Sequence, residues 1–242
     1  NISVQRTLTG LSPSYPTDTA LIFYPGAKVE AEAYFPLLDR IRQDGICCIL
    51  VEMPFRMAIF DWDAAAEVIP QFPDIRHWYI GGHSMGGAMA SQFASRNPDQ
   101  VEGLILMGAY IYGDYPPENA LTIYGSLNQS VEDKIDYTQN VYEIQGGNHA
   151  QFGNYGPQKG DLPATITAEK QQEQTALAGI EAFEGFLRDI RMPVNLPQLG
   201  LEVTDAQIDE LAYKCTFMGK RTIGSFKVLG EEDIKAIYRM AR

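Results

Sequence analysis

Short apolar runs and amphipathic stretches alternate along the first three-quarters of the chain. The apolar runs are rich in β-branched and aromatic residues, as in "TALIFYP" at 19–25, and this composition favours strands. They are apolar throughout, which predicts strands that are buried on both faces of a sheet. The stretches between them have helical spacing, so the whole pattern predicts an α/β fold with a mostly parallel sheet covered by helices. We predict strands at about 19–25, 46–54, 77–82, 101–108, 120–125 and 140–147, and helices at 32–45, 61–69 and 85–96, from 130, and within 168–188.

The pattern changes from "RMPVNLPQLGLEV" onward, where it becomes helix, turn and helix. Thr204 stands ahead of "DAQIDELAYKC" as a predicted N-cap, and "GEEDIKAIYRMAR" ends the chain. We therefore expect two parts, a main domain at 1–178 and a short helical C-terminal extension at 179–242. The apolar faces of the later helices must be buried, so these helices either pack on the main domain or mediate self-association.

Composition narrows the classes of function. The 242 residues are 45% hydrophobic and 21% charged, an ordinary globular balance. Acidic residues number 31 and basic residues 19, and the resulting formal net charge of -12 would repel a phosphate-rich partner, so nucleic acid is not an expected partner. No apolar run approaches the roughly 18 to 20 residues that span a bilayer. We expect a soluble protein and favour a cytoplasmic location, with a signal or anchor removed from before Asn1 as an open alternative.

A serine surrounded by glycines gives the clearest chemical signal. The stretch "GHSMG" follows a predicted strand and precedes a helix of small residues, which is the setting of a Gly-x-Ser-x-Gly nucleophile elbow. In such a turn Ser84 takes a strained backbone conformation, and glycines relieve the crowding around it. Ser84 is therefore the candidate nucleophile, raised at the carboxyl end of the sheet. The backbone N–H of Met85, at the start of the helix, is the expected first oxyanion donor.

A serine hydroxyl needs a base, and the chain has three histidines. His77 precedes the strand that leads to Ser84, so we expect it at the opposite end of the sheet. His83 is locked beside the serine and should point away from it. His149, in "QGGNHAQFGNYG", follows the last predicted strand at its carboxyl end and is the candidate base.

Four motifs occur together in this chain: "LIFYPGAKVEAEAYFPLL", "GGHSMGG", "LTIYGS" and "GGNHAQFGNYGPQKGD". They resemble a bacterial serine hydrolase branch of the alpha/beta-hydrolase superfamily over about residues 1–176. The resemblance implies an eight-stranded or slightly reduced sheet, a catalytic Ser–His pair and hydrolysis of an ester, thioester or similar acyl bond. It also implies that the backbone N–H of Ala27 is the second oxyanion donor. The connection "AYIYGDYPPEN" is too short for the lid domain that this superfamily often inserts.

The residue that should hold the histidine departs from the family pattern. After "LTIYGS" the pattern Gly-Ser-x-Asp supplies an aspartate, whereas this chain has Asn128. An asparagine oxygen can hold the ring of His149 but cannot offset the charge of an imidazolium, and in serine proteases such a change lowers turnover by roughly 10⁴. Three explanations stay open: Asn128 is a weak orienter, the acid comes from elsewhere with Asp114 as the alternative, or the chain is a binding fold that has lost activity.

Further carboxylates lie near this region of the sequence, among them Glu132 and Asp133 close to Asn128. Ser130 and Asp133 fit a capping box, which favours a structural role for Asp133. Asp161, in "QKGD", could approach the site through the loop after His149, but we expect it to be structural.

The end of the chain resembles a different family, the C-terminal end of iron-containing alcohol dehydrogenases, over about 179–242. The metal ligands and nucleotide loop of that family lie upstream of the corresponding piece. No histidine follows His149 in this chain, so a histidine-based iron site cannot be assembled. The resemblance therefore implies no dehydrogenase activity.

These features together predict a serine hydrolase that acts on a small acyl substrate through an acyl-enzyme. Ser84 is the nucleophile, His149 the base and Asn128 the residue at the position of the acid, while Ala27 and Met85 form the oxyanion hole. No cofactor and no metal are expected. The alternative is a weakly active or inactive hydrolase-fold binding module, because the expected catalytic aspartate is an asparagine.

Overall fold

A computed structural model describes residues 8–14, 16–189, 195–223 and 228–242, with side chains omitted for 179–189. The strands of the described chain are β1 Leu8–Leu11, β2 Thr19–Tyr24, β3 Cys47–Val51, β4 His77–His83, β5 Gly103–Met107, β6 Ala120–Gly125 and β7 Val141–Ile144. The helices are α1 Phe35–Gln43, α2 Ala64–Val68, α3 Met85–Arg96, α4 Gln129–Glu132, α5 Ala168–Asp189, α6 Asp205–Cys215 and α7 Glu231–Met240.

The described strands form one sheet in the order β1-β3-β2-β4-β5-β6-β7. Strand β1 pairs antiparallel with β3, and all other neighbours pair parallel. This mostly parallel sheet with helices is the predicted α/β fold, and the carboxyl ends of β2 to β7 therefore lie at one edge. Any residue that directly follows β2, β4, β6 or β7 is brought toward the same edge.

The core lies on both faces of the sheet, as the continuous apolar runs predict. Successive residues of β2 point to opposite faces, so Ile22 packs in one cluster and Phe23 in the other. The first cluster includes Phe93 of α3, and the second includes Leu37 and Leu38 of α1. All five side chains are 0% exposed, which explains why the sequence of these strands has no polar alternation.

The connection between β5 and β6 is short, as expected. Residues 108–119 are all described, and their only regular element is a 3-10 turn at Pro117–Asn119, so no lid domain is inserted there. The helix predicted from 130 is the four-residue helix α4, which begins at Gln129 with Asn128 as its N-cap residue. The predicted capping box of Ser130 and Asp133 is therefore wrong, and Oδ1 of Asp133 instead accepts a hydrogen bond from the side chain of Gln129 at 2.9 Å.

The chain divides into two compact units, Asn1–Gly179 and Ile180–Arg242. In the second unit α6 packs against α7, with Ile208, Ala212 and Ile234 buried. Thr204 is the N-cap of α6, as predicted, and forms a capping box with Gln207. The assignment of 179–242 as a separate domain stays a prediction, as does its resemblance to alcohol dehydrogenases, and residues 190–194 at the predicted change of pattern lie outside the described residues. Among the described helices, none has the length and apolar character needed to cross a membrane.

Candidate active site

Ser84 lies in the sharp turn between β4 and α3. Its φ of 55° and ψ of -122° fall in a region that an L-residue rarely adopts. Both of its backbone groups are nevertheless bonded: the N–H donates to the carbonyl of Met107 at 3.0 Å, and the carbonyl accepts from the N–H of Ala88 at 3.0 Å. These bonds hold the serine in the strained conformation of the predicted elbow.

The glycines beside Ser84 let the elbow approach the end of β2. A Cβ on Gly82 would lie 2.5 Å from the carbonyl oxygen of Tyr24. A Cβ on Gly86 would collide with the carbonyl oxygens of both Tyr24 and Pro25. Only glycine fits at these positions, because the obstacles are backbone atoms that cannot move aside.

His149 lies beside the serine, in the loop after β7. Its Nε2 is 3.0 Å from Oγ of Ser84, a hydrogen-bond distance. The loop is held from α5, where the buried side-chain amide of Gln171 accepts from the N–H of Asn148 at 3.0 Å and donates to its carbonyl at 2.8 Å. The structure therefore brings the predicted nucleophile and base together. Gln171 could not be predicted from the sequence, because an amide on a distant helix leaves no local pattern.

Asn128 occupies the place predicted for the acid. The carboxyl ends of β6 and β7 approach closely, since a Cβ on Gly125 would collide with the backbone of Gly147. Asn128 comes three residues after Gly125 in the chain. It is 5% exposed, and its Nδ2 lies 2.7 Å from Nδ1 of His149. Its Oδ1 accepts a hydrogen bond from the hydroxyl of Ser130 at 3.1 Å.

The orientation of this amide determines which nitrogen of His149 carries the proton. In the orientation of the structure, Nδ2 of Asn128 donates to Nδ1 of His149, so the ring proton is on Nε2 and faces Ser84. A half-turn of the amide places Oδ1 against a protonated Nδ1 and leaves Nε2 free to accept the serine proton. Both orientations satisfy the amide, because the hydroxyl of Ser130 can accept as well as donate.

The alternative acid is not at the ring. Asp114 is exposed in the connection between β5 and β6, and no hydrogen bond or ion pair joins it to His149 within the described residues. Asp161 is nearer, but its carboxylate binds backbone rather than the ring. Its Oδ1 accepts from the N–H of His149 at 3.1 Å, and its Oδ2 accepts from the N–H of Ala150 at 2.7 Å. Asp161 thus has the structural contacts that we expected.

A buried chain of hydrogen bonds runs beneath the pair. The N–H of Gly26 donates to the hydroxyl of Tyr34 at 3.0 Å, and this hydroxyl lies 2.7 Å from Nδ1 of His83. On its other side, Nε2 of His83 lies 2.9 Å from the carbonyl oxygen of His149. Because that carbonyl can only accept, His83 carries its proton on Nε2, and Tyr34 donates to Nδ1. Both ring nitrogens of His83 are thus bonded to groups other than Ser84, and Tyr34 is a site residue that was not predicted from the sequence.

Burial controls the charge of both histidines. Burial lowers the pKa of His149, and the negative charge of Asp161 opposes this by raising it. Full burial lowers the pKa of His83 further, and the neighbouring His149 ring, 4.7 Å away between centroids, adds to this effect. Burial also raises the pKa of Tyr34, so its hydroxyl stays protonated. Both rings are therefore neutral near pH 7, which is the state that a general base requires.

The two predicted oxyanion donors lie near the elbow. Met85 is the first residue of α3, where backbone N–H groups have no partner within the helix. Ala27 lies in the turn after β2, between the bonded N–H groups of Gly26 and Lys28. Its own N–H makes no hydrogen bond with another described residue. The role of these groups as oxyanion donors stays a prediction.

A shallow pocket of about 220 Å³ opens beside His149, on the side of Asn128. Its lining consists of Asn128, Ser130, His149, Gln158, Lys159, Gly160 and Asp161. A larger pocket of about 380 Å³ lies near the starts of β4 and β5, at the other edge of the sheet from Ser84. Within the described residues, no group of three or more His, Cys, Asp or Glu side chains is arranged to hold a metal ion.

Comparisons with known proteins agree with this architecture. The model of the family described as "Alpha/beta hydrolase family" matches residues 20–173. Among curated proteins, a "Putative non-heme haloperoxidase" from Mycobacterium phage D29 is 28% identical over 102 residues, which cover 38% of this chain and 37% of that protein. The match thus spans less than half of that relative's length.

Two solved structures share the fold at low sequence identity. Est1E from Butyrivibrio proteoclasticus, in a structure with bound ferulic acid, is 12% identical, with a TM-score of 0.52 and coverage of 74% of this chain and 96% of that chain. A monoacylglycerol lipase from Paleococcus ferrophilus is 10% identical, with a TM-score of 0.50 and coverage of 72% and 100%. The family model covers more than half of the chain, and its span holds the elbow and the strands of the parallel sheet. The chain therefore belongs to the alpha/beta hydrolase family.

Proposed function

We propose that the protein is a serine hydrolase that cleaves a carboxylic ester, a thioester or a related acyl bond. The observation that carries the proposal is the 3.0 Å distance between Oγ of Ser84 and Nε2 of His149, with Ser84 in the strained turn between β4 and α3. Family membership supports the same class of reaction.

The reaction proceeds in two halves. Oγ of Ser84 attacks the acyl carbon, its proton passes to Nε2 of His149, and the negative charge on the acyl oxygen is held by the N–H groups of Met85 and Ala27. His149 then gives the proton to the leaving alcohol or thiol, which departs and leaves an acyl-serine. Water, deprotonated by His149, attacks the acyl-serine and releases the acid, and the proton returns to Ser84.

Asn128 assists this reaction when its amide is oriented with Oδ1 toward Nδ1 of His149. That orientation fixes the ring with Nδ1 protonated and Nε2 able to accept the serine proton. The amide has no charge to stabilise the imidazolium, so we expect slower turnover than in a relative with an aspartate at this position.

The expected substrate class follows from the short connection between β5 and β6, which leaves the site open. Est1E has been solved with ferulic acid, and the Paleococcus protein is named a monoacylglycerol lipase. Neither name is evidence for the substrate of this chain, since likeness at this identity concerns the fold. With no lid in residues 108–119, a small or extended acyl ester is the expected substrate, and no cofactor is required for the steps above.

The test is covalent labelling by a fluorophosphonate, together with hydrolysis of a short p-nitrophenyl ester. The wild-type chain should be labelled at Ser84, and Ser84→Ala should abolish both labelling and hydrolysis. Ser95→Ala is the matched control, because the hydroxyl of Ser95 on the same helix donates only to the carbonyl of Gln92. Labelling that persists in Ser84→Ala would refute the assignment.

A second candidate function is a non-catalytic binding module. It is favoured by the neutral amide of Asn128, 2.7 Å from Nδ1 of His149, which cannot offset the charge of an imidazolium. This candidate predicts no labelling of the wild-type chain at any pH between 5 and 9, and labelling that appears only in Asn128→Asp.

A further inference from the structure

The carboxylate of Asp161 is held by two hydrogen bonds to the backbone at the candidate base. Both of its oxygens accept backbone N–H groups, one from His149 and one from Ala150. Its own N–H donates to the carbonyl of Gln158 at 3.1 Å, which closes the loop around the carboxylate. These bonds fix a negative charge next to the backbone of the candidate base.

The same carboxylate belongs to the wall of the pocket beside the ring. Asn128, His149 and Asp161 all line this pocket, and Asp161 is the only carboxylate in its lining. The charge of Asp161 raises the pKa of His149 and so favours its imidazolium form. An alpha/beta hydrolase with an aspartate at position 128 would have this charge at the ring nitrogen itself.

We propose that the work of the missing acid is divided in this chain, with Asn128 holding the ring of His149 and Asp161 supplying the negative charge that stabilises its imidazolium. Asp161 is then a positioning residue that acts through His149 and does not touch the substrate. This inference rests on the proposed hydrolase function for its catalytic meaning, whereas the electrostatic coupling of Asp161 to His149 can be measured without turnover.

The other charged and titratable groups around His149 are few. Lys159 is the one cation in the lining of the same pocket. His83 contacts the ring from below and is neutral, since burial lowers its pKa. Burial and the charge of Asp161 both raise the pKa of Tyr155, so its hydroxyl is neutral as well. Asp161 is thus the fixed negative charge on this side of the base.

The first measurement is an NMR titration of the histidine rings in the Ser84→Ala chain, which has three histidines to resolve. Asp161→Asn should move the midpoint of His149 to lower pH. Asp133→Asn is the matched control, because this exposed carboxylate contacts the side chain of Gln129 instead. An unchanged His149 midpoint in a folded Asp161→Asn chain would overturn the proposal.

The second measurement is the rate of fluorophosphonate labelling. Asp161→Asn should lower this rate about tenfold, as for the loss of one favourable charge interaction. Adding Asn128→Asp should return the rate to at least the wild-type value, because a carboxylate is again beside the ring. A purely structural Asp161 predicts no such rescue, since a carboxylate at position 128 cannot replace the bonds to the backbone of 149–150; failure of the rescue would contradict the proposal.

Two further outcomes separate the possible failures. If Asp161→Asn does not fold, Asp161→Ser replaces it, because a serine hydroxyl can still accept one of the two backbone N–H groups, and the midpoint of His149 should again move to lower pH; an unmoved midpoint would contradict the proposal. If neither the wild-type chain nor Asn128→Asp is labelled but the midpoint shifts as expected, the hydrolase function fails while the coupling of Asp161 to His149 holds. If Ser84 is labelled but the midpoint of His149 does not shift in Asp161→Asn, the hydrolase function holds and the coupling of Asp161 to His149 fails.

Discussion

Replacement of Asn128 by aspartate tests the candidate site most directly. The substitution keeps the shape of the side chain and adds one negative charge where the amide lies 2.7 Å from Nδ1 of His149. It also removes the ambiguity of the amide, since both oxygens of a carboxylate accept hydrogen bonds. His149 must then carry a proton on Nδ1, which leaves Nε2 as the acceptor for the proton of Ser84.

The size of the effect follows from the surroundings of Asn128. A carboxylate and an imidazolium with charges about 4 Å apart attract by roughly 4 kcal/mol at an effective dielectric constant of about 20. Part of this is lost because position 128 is 5% exposed, so the carboxylate is largely desolvated. The hydroxyl of Ser130, 3.1 Å from Oδ1, offsets some of that cost. A net gain of about 1.4 to 2.7 kcal/mol in the transition state gives a ten- to hundredfold increase in kcat/KM.

The assay is p-nitrophenyl ester hydrolysis and fluorophosphonate labelling between pH 5 and 9. The new charge should raise the pKa of His149, so the rise of kcat/KM with pH should move to higher pH in Asn128→Asp. Asn119→Asp, at an exposed position before β6, adds the same charge at the other edge of the sheet and should leave the rate unchanged. A folded Asn128→Asp chain with an unchanged or lower rate would show that the amide is not at the position of the acid.

Three further predictions concern the groups that hold the site. Tyr34→Phe removes a buried hydroxyl and leaves Nδ1 of His83 unpaired, so the free energy of unfolding in urea should fall by about 1 to 3 kcal/mol; an unchanged denaturation midpoint would contradict the hydrogen-bond chain. Gly86→Ala should destabilise the fold and abolish labelling, because its Cβ meets backbone carbonyls, whereas Gly10→Ala in β1, with open space around it, should behave as wild type in thermal denaturation and labelling. The free energy of unfolding should fall as pH drops below about 6.5, because the histidines of the unfolded state then bind protons that buried His83 and His149 do not bind. The slope is up to about 1.4 kcal/mol per pH unit for each histidine. Urea denaturation at pH 5.5 and 7.5 measures this fall, and equal stability at both would refute it.

The sheet could be predicted because its strands are buried on both faces and are therefore apolar throughout. The strand predicted at 120–125 agrees with β6 residue for residue, and that at 77–82 differs from β4 by one residue. Strand β1 was missed, because "LTGL" has two exposed central residues and pairs only with β3 at the edge of the sheet. A short edge strand has neither a continuous apolar run nor a long alternating pattern, so its sequence resembles that of a loop.

Only those residues of the candidate site that follow the ends of strands could be predicted from the sequence. Ser84, Asn128 and His149 follow β4, β6 and β7, and in a parallel sheet these ends meet at one edge. Tyr34 and Asp161 lie outside such positions and reach the site through turns and loops. Nothing in the sequence points to Tyr34, and for Asp161 the sequence indicates only that its loop can approach the site. Their contacts with the site, the bond of Tyr34 to His83 and the bonds of Asp161 to the backbone of His149, appear only in the structure.

The buried chain of hydrogen bonds links the base to the turn that carries Ala27. His83 holds the carbonyl of His149 on one side and Tyr34 on the other, and Tyr34 in turn holds the N–H of Gly26. Protonation of His83 would put a second donor where Tyr34 now donates, so it would disrupt both loops together. Because the pKa of fully buried His83 is lowered further than that of half-buried His149, acid should first remove the base and only then the geometry. Acid inactivation should therefore be reversible over the range in which His149 titrates, and loss of structure should begin only at lower pH.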